Sequence, residues 1–233
     1  MVLGAALLGG AVAFVLEWND RRLHLALALS TGTLLGAVFL HLLPDLALVA
    51  HEGGRRLGIW ILIGVLLVHL VEAVFLRTTD HDDHHRHRSV GVVTALGVAV
   101  HAASAGLGLA ALQRGEALGA SFLAAFLSHK AFESFAVGNV FLLAKTSKPK
   151  MVAMLTAFAL ITPATLLLGD RVLAQVGAGS LGIVTAVAAG TFLYVCVAEL
   201  LPEVFHHRED ALAKFVLLGL GVGLTTALET FAH

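Results

Sequence analysis

The sequence predicts an all-α membrane protein, on the basis of its composition, its long apolar runs and the few polar residues inside those runs. Hydrophobic residues make up 58% of the 233 residues and charged residues 13%, and the mean hydropathy is +0.89. Soluble domains carry roughly 25% charged residues, so this chain lacks the polar residues that a water-facing surface would require. We therefore expect lipid to be the solvent for most of the chain.

Charge and cysteine content exclude other classes of protein. The net charge of -1, with histidines neutral, provides no basic surface for binding a nucleic acid. The single cysteine, Cys196, excludes an intrachain disulfide. No basic segment precedes the first apolar run, so we expect that run to be a membrane helix and not a cleaved signal peptide.

Eight apolar runs are candidates for transmembrane helices, which need about 20 mostly apolar residues. They lie at residues 2–16, 23–43, 59–76, 90–112, 118–144, 151–168, 181–201 and 211–231, and the first is short. The segments between them are too short to form a soluble domain. Residues 1–233 are therefore predicted to form a single polytopic domain with a short His-rich loop at residues 77–89.

The loop charges predict the orientation of these helices. Cytoplasmic loops are enriched in Lys and Arg. Nine such residues lie in the first, third, fifth and seventh loops, and four lie in the second, fourth and sixth. We therefore place the odd-numbered loops in the cytoplasm and both termini outside it.

A short sequence echo links the second and seventh helices. The second is predicted to end at His41-Leu-Leu-Pro-Asp45, and the seventh at Glu199-Leu-Leu-Pro-Glu203. The two helices run in opposite directions in the predicted topology. The echo is consistent with an inverted repeat relating helices 1–3 and 6–8, as in many secondary transporters, or with two prolines that each end a helix.

Polar residues within the membrane are informative because a charged side chain there costs about 2.5–3.5 kcal/mol. In the fourth helix, Ser104 follows His101 by three residues and shares its face. In the fifth, His129 and Glu133 stack at i, i+4, with Lys130 on an adjoining strip. These groups converge if the two helices face each other.

Two imidazoles and one carboxylate suit Zn²⁺, and they also accept Cd²⁺, Fe²⁺, Mn²⁺ or Co²⁺. We expect the metal to be a transported substrate, with no resident cofactor, and the hydroxyl of Ser104 to be a weak ligand or to hold a water. Two alternatives remain open. His101 can form an interhelical hydrogen bond instead of binding metal, and Lys130 can neutralise Glu133 as a buried ion pair.

Two further groups of polar residues have open roles. The histidines of the 77–89 loop form a tract that either binds metal loosely or is simply solvated: His81, His84, His85 and His87. Other residues near the helix ends either line an ion pathway or lie at the membrane interface with their polar tips in water. These are His41 and Asp45 near the outer end of the second helix, and Glu199, His206 and His207 near the inner end of the seventh.

The chain resembles the ZIP family of metal transporters along almost its whole length. The resemblance is carried by short motifs in order: Phe39-Leu-His41-Leu-Leu-Pro44-Asp45, His101-Ala-Ala-Ser104-Ala-Gly106, His129-Lys130-Ala-Phe-Glu133, Ile161-Thr162-Pro163 and Gly190-Thr-Phe-Leu-Tyr194. It implies eight helices with outward termini, and metal movement toward the cytosol by alternating access. It also implies that His101, His129 and Glu133 occupy ligand positions.

The sequence departs from the family where many members bind a second metal ion. Ala102 and Ala105 replace fourth-helix ligands, Lys130 stands where an acid or amide would be, and Thr162 replaces a glutamate. All four changes remove ligands for the second ion. We therefore predict a single-metal site between helices 4 and 5, with the ammonium of Lys130 as a substitute for the second ion.

The predicted function is secondary transport of divalent transition metal ions, with a metal-binding receptor that does not translocate as the alternative. An intramembrane hydrolase using Ser104 or Ser128, or a zinc protease, is disfavoured because the His-Glu-x-x-His signature is absent. The chain is therefore not predicted to be an enzyme. Its predicted partners are a divalent metal ion and the bilayer of the plasma or inner cell membrane. The oligomeric state is open, with a homodimer as one arrangement.

Overall fold

The structure, a computed structural model, describes residues 1–15, 17–49, 54–76, 83–112, 120–176 and 179–232. Within these ranges the chain forms eight helical segments and no β-strand. They are α1 (Val2–Val15), α2 (20–49), α3 (54–76), α4 (Asp83–Leu112), α5 (Ala120–Leu143), α6 (Lys148–Val176), α7 (179–205) and α8 (Ala211–Ala232). The predicted all-α class is confirmed.

Six of these helices are long and apolar enough to cross a membrane, namely α2, α3, α4, α6, α7 and α8. The other two differ for distinct reasons. Helix α1 is apolar but has only 14 residues, and α5 carries Lys130, Glu133 and Asn139 among its apolar residues. The crossing of the membrane by all eight segments stays a prediction, as do the outward termini and the inverted repeat.

The predicted loop at residues 77–89 is wrong over its second half. Helix α4 begins at Asp83, so residues 83–89 are helical. An apolar run marks the part of a helix that lipid covers, and this segment contains no proline or glycine that would end the helix at the membrane surface. His81 lies outside the described residues.

The prediction that Pro44 and Pro202 end their helices is also wrong. Both helices continue past the proline, α2 to residue 49 and α7 to residue 205. A wide π-helical turn precedes each proline, Ala37–Leu42 in α2 and Val195–Leu200 in α7. Proline lacks an N–H and crowds the carbonyl four residues before it, and a widened turn provides the room that its ring needs.

The helices pack as two four-helix bundles. In the first bundle, α1 packs along α5 and α4 packs along α6, with further contacts between α1 and α6 and between α4 and α5. In the second bundle, α2 packs along α8 and α3 packs along α7. The bundles meet where α4 contacts α7 and where α5 contacts α2 and α8.

Two pairs of glycines allow close packing in the second bundle. Gly32 and Gly221 face each other's helices where α2 crosses α8, and Gly64 and Gly190 do so where α3 crosses α7. A Cβ at any of the four positions would overlap a backbone carbonyl oxygen of the facing helix. Small residues permit such contacts between membrane helices, so these glycines determine how closely the bundle packs.

Candidate metal centre

A buried cluster of potential metal ligands lies between α4 and α5. His101 comes from α4, whereas His129 and Glu133 lie one turn apart on α5. One ligand atom from each residue lies within 4.8 Å of the others. Glu133 is fully buried and His101 nearly so. The structure thus brings together three of the four residues that the sequence predicted as ligands.

The spacing of the two imidazoles matches zinc coordination. Nε2 of His101 lies 3.4 Å from Nε2 of His129, and their rings are nearly perpendicular, at 81°. Zinc binds histidine nitrogen at about 2.0–2.1 Å with tetrahedral geometry, which puts two such nitrogens about 3.3 Å apart. The two ring nitrogens can therefore bind one ion after only a small shift.

Glu133 offers one oxygen to the cluster and uses the other in an ion pair. Its Oε2 accepts a hydrogen bond from Nζ of Lys130, which is also buried. Its Oε1 has no hydrogen-bond partner among the described residues. A buried carboxylate oxygen without a donor is costly, and a cation held by the two imidazoles would satisfy it.

The ion pair that the sequence left open as an alternative is therefore present, and it leaves the ligand cluster available. The ammonium of Lys130 also lies 5.3 Å from the centre of the Phe158 ring on α6. Thr162, which stands where other family members have a glutamate, donates a hydrogen bond to the carbonyl of Ala102 on α4 (3.0 Å). Lys130 as a substitute for a second ion stays a prediction.

Ser104 is buried one turn beyond His101 on α4. Its hydroxyl donates a hydrogen bond to the carbonyl oxygen of His101, at 2.9 Å. This bond uses the hydroxyl proton within the helix and leaves lone pairs on the oxygen. The role of Ser104 as a weak ligand stays a prediction.

Two side chains of the second bundle flank the cluster. The ring of Phe192 on α7 stacks on His101, with the ring centres 4.5 Å apart and the planes at 14°. His41, in the wide turn of α2, has its ring centre 6.4 Å from that of His129. The sequence singled out His41 as a pathway residue but missed Phe192, because a phenylalanine in an apolar run has no signal that separates it from the core.

A cavity of about 360 Å³ lies at the end of the molecule predicted to be cytoplasmic, and its lining includes His24, His87, His207 and Lys214. Nε2 of His87 lies 3.1 Å from Oε1 of Glu203. The rings of His24 and His207 have centres 5.7 Å apart. Sequence reasoning missed His24, although a histidine near the start of an apolar run is a usable signal.

The remaining predicted residues have mixed outcomes. His206 lies beside His207, with ring centres 4.8 Å apart, and both side chains are exposed. Glu199 is largely buried in the wide turn of α7. Their role in an ion pathway stays a prediction. The side chains of Asp45, His84 and His85 lie outside the described residues, as His81 does.

An ion pair closes the same end of the second bundle. The guanidinium of Arg21 contacts both carboxylate oxygens of Asp210, at 2.6 and 2.9 Å. Its hydrogen bonds and positive charge hold the pKa of Asp210 below the usual value. This pair links the start of α2 to the segment that leads into α8.

The fold and the site together define a multi-pass helical membrane protein with a buried cluster of metal-ligating side chains. A family model described as ZIP zinc transporter matches residues 76–229, more than half of the chain. The chain therefore belongs to the ZIP family, as the sequence motifs predicted. Because the family is one of transporters, the prediction that the chain is not an enzyme is confirmed.

Individual relatives carry the same description. Protein zntD of Dictyostelium discoideum is 30% identical over 160 residues, which are 61% of this chain and 23% of that protein. Zinc transporter 8 of Oryza sativa subsp. japonica is 28% identical over 165 residues, 66% of this chain and 42% of the relative. Zinc transporter ZIP9-B of Xenopus laevis is 28% identical over 186 residues, 70% of this chain and 61% of the relative. The chain thus spans less than two thirds of each of these relatives.

Proposed function

We propose that this protein transports divalent transition metal ions, with Zn²⁺ as the main substrate, through a single-metal site formed by His101, His129 and Glu133. The observation that carries this proposal is the convergence of their ligand atoms within 4.8 Å inside a ZIP-family chain. Two neutral nitrogens and one carboxylate form an incomplete coordination shell. Such a shell suits a carrier, which must also release its ion.

The arrangement of the bundles supports alternating access. All three proposed ligands belong to the first bundle, whereas Phe192 and His41 reach the site from the second. Movement of one bundle against the other would therefore carry the site past a different set of neighbours. The His-lined cavity at the inner end suits release toward the cytosol.

An inverted repeat within the second bundle would support the same motion. Ala37, the start of the wide turn in α2, follows Gly32 by five residues, as Val195 follows Gly190 in α7. Each turn leads into Leu-Leu-Pro, and each glycine packs against a partner helix that carries a glycine of its own. We propose that α1–α3 and α6–α8 are such repeats, that all eight helices cross the cell membrane, and that both termini lie outside.

The test is metal flux into sealed liposomes that contain a metal-sensitive dye. The comparison set is the wild type, His129→Ala, Glu133→Ala and a variant with His81, His84 and His85 changed to glutamine. A deletion of residues 80–88 is unsuitable because it would remove the first turn of α4. We expect saturable zinc and cadmium entry in the wild type, loss of entry in the two site variants, and full entry in the glutamine variant.

Two outcomes would contradict this proposal. Undiminished flux in His129→Ala and Glu133→Ala would place the pathway elsewhere in the protein. A folded wild type that binds zinc but moves none would establish a metal-binding receptor instead of a transporter.

A further inference from the structure

A metal-ligating histidine usually donates its second ring N–H to a carboxylate, carbonyl or water, and that bond fixes the direction of the ring. His101 lacks such support. Its Nε2 points at His129, at 3.4 Å, while its Nδ1 is buried and has no hydrogen-bond partner among the described residues. Something other than a hydrogen bond must therefore set the orientation of this ring.

The ring of Phe192 lies where it can do so. It is fully buried on α7 and stacks on the imidazole with ring centres 4.5 Å apart and planes 14° from parallel. Offset aromatic stacking in this distance range is favourable beyond the burial of area. A flat wall against one face of His101 limits rotation of the imidazole and keeps Nε2 in the plane that leads to His129.

We infer that Phe192 is a positioning residue for His101, which directs its Nε2 into the metal site only while the two bundles are arranged as they are here. This inference rests on the proposed function, because it gives Phe192 a role in binding the metal. Phe192 does not touch the ion. It acts through His101, and it is supplied by the second bundle while the ligands are supplied by the first.

The location of Phe192 ties metal affinity to the state of the transporter. Sliding of one helix past another by one turn amounts to about 5.4 Å, which exceeds the 4.5 Å between the two ring centres. Such a movement separates Phe192 from His101 and frees the imidazole to rotate. The site then binds its ion more weakly, which favours release on the other side of the membrane.

The test is a double-mutant cycle on zinc affinity, measured on the purified full-length chain. Phe192→Leu removes the ring, Phe192→Met is a second variant without a ring, and Phe192→Tyr keeps the ring. Phe141→Leu is the matched control, because Phe141 is a buried core residue of α5. Both Phe192→Leu and Phe141→Leu are made again in the His101→Ala background.

We expect Phe192→Leu and Phe192→Met to weaken zinc binding by about 2- to 10-fold, the range that stacking energies imply. Phe192→Tyr and Phe141→Leu should leave the affinity unchanged. In the His101→Ala background, Phe192→Leu should have no further effect. With Co²⁺ in the site, the visible absorption band should shift in Phe192→Leu and not in Phe141→Leu, because the band reports ligand geometry and not stability.

Three results would overturn the inference: an unchanged affinity in both variants without a ring, an equal loss in Phe141→Leu, or a loss in Phe192→Leu that persists in the His101→Ala background. Failure of the proposed function is distinguishable from these results. It would appear as a wild type that binds no zinc, or as His101→Ala binding zinc as tightly as the wild type, and it would overturn both proposals.

Discussion

Replacing Lys130 with methionine tests how the buried ion pair and the metal share Glu133. The ammonium of Lys130 binds Oε2 of Glu133, and both side chains are fully buried. In Lys130→Met, a chain of similar length remains, but the carboxylate loses its only charged partner named here. Without zinc the variant should therefore be less stable than the wild type, and zinc should restore much of the difference.

The magnitude follows from the cost of leaving a buried charge unpaired. Breaking a buried ion pair by removing one partner costs about 3–5 kcal/mol. Bound zinc supplies a replacement charge at Oε1, so this penalty disappears from the zinc-bound state and appears as tighter binding. If all of it is recovered, the lower figure corresponds to about 10²-fold in affinity, and relaxation of the site reduces this upper bound.

The assay is thermal unfolding of the purified protein with and without zinc, together with a direct binding titration. Lys150→Met is the matched control, because Lys150 is exposed before the first turns of α6 are covered. Flux measurements should show a lower KM and a lower maximal rate, since a tighter site releases its ion more slowly. An unchanged or weaker zinc affinity in Lys130→Met would refute this reasoning, because the ammonium would then not compete with the metal.

Two further predictions concern stability. Gly221→Ala should lower the free energy of unfolding by about 1–3 kcal/mol, since its Cβ overlaps a carbonyl of α2; Gly219→Ala, which faces open space on the same helix, should be neutral or slightly stabilising in the same chemical denaturation assay. The Arg21–Asp210 pair should stabilise the protein above the unfolded pKa of an aspartate, about 3.9, and this contribution should be lost as the pH falls through the lower pKa of folded Asp210. The melting temperatures of the wild type and Asp210→Asn should therefore differ at pH 6 and converge toward pH 3, and a difference that stays constant over this range would contradict the assignment.

Helix content and the central cluster were accessible from the sequence because both follow from local rules. A hydrophobic run of the right length has few structures available in lipid. The i, i+4 spacing of His129 and Glu133 places both on one helix face whatever surrounds it. His101 joined them as a polar group that the lipid cannot solvate.

The ends of the helices were less accessible. The sequence placed the start of α4 near residue 90 and an end of α2 near Pro44, whereas the helices extend to Asp83 and to residue 49. Hydropathy reports where lipid covers a helix and not where its hydrogen bonds stop. A proline ends a helix only if the preceding turn keeps regular α geometry, and the wide turns in α2 and α7 remove that condition.

The sequence by itself determined that the chain is a helical membrane protein of the ZIP family and which side chains could bind a metal ion. Only the tertiary structure decided that Oε1 of Glu133 faces the cluster while Oε2 binds Lys130, and that Phe192 supports His101. These contacts join residues of different helices or depend on side-chain rotamers. Neither follows from periodicity, because the 3.6-residue repeat determines the face of a helix and not the neighbour that packs against it.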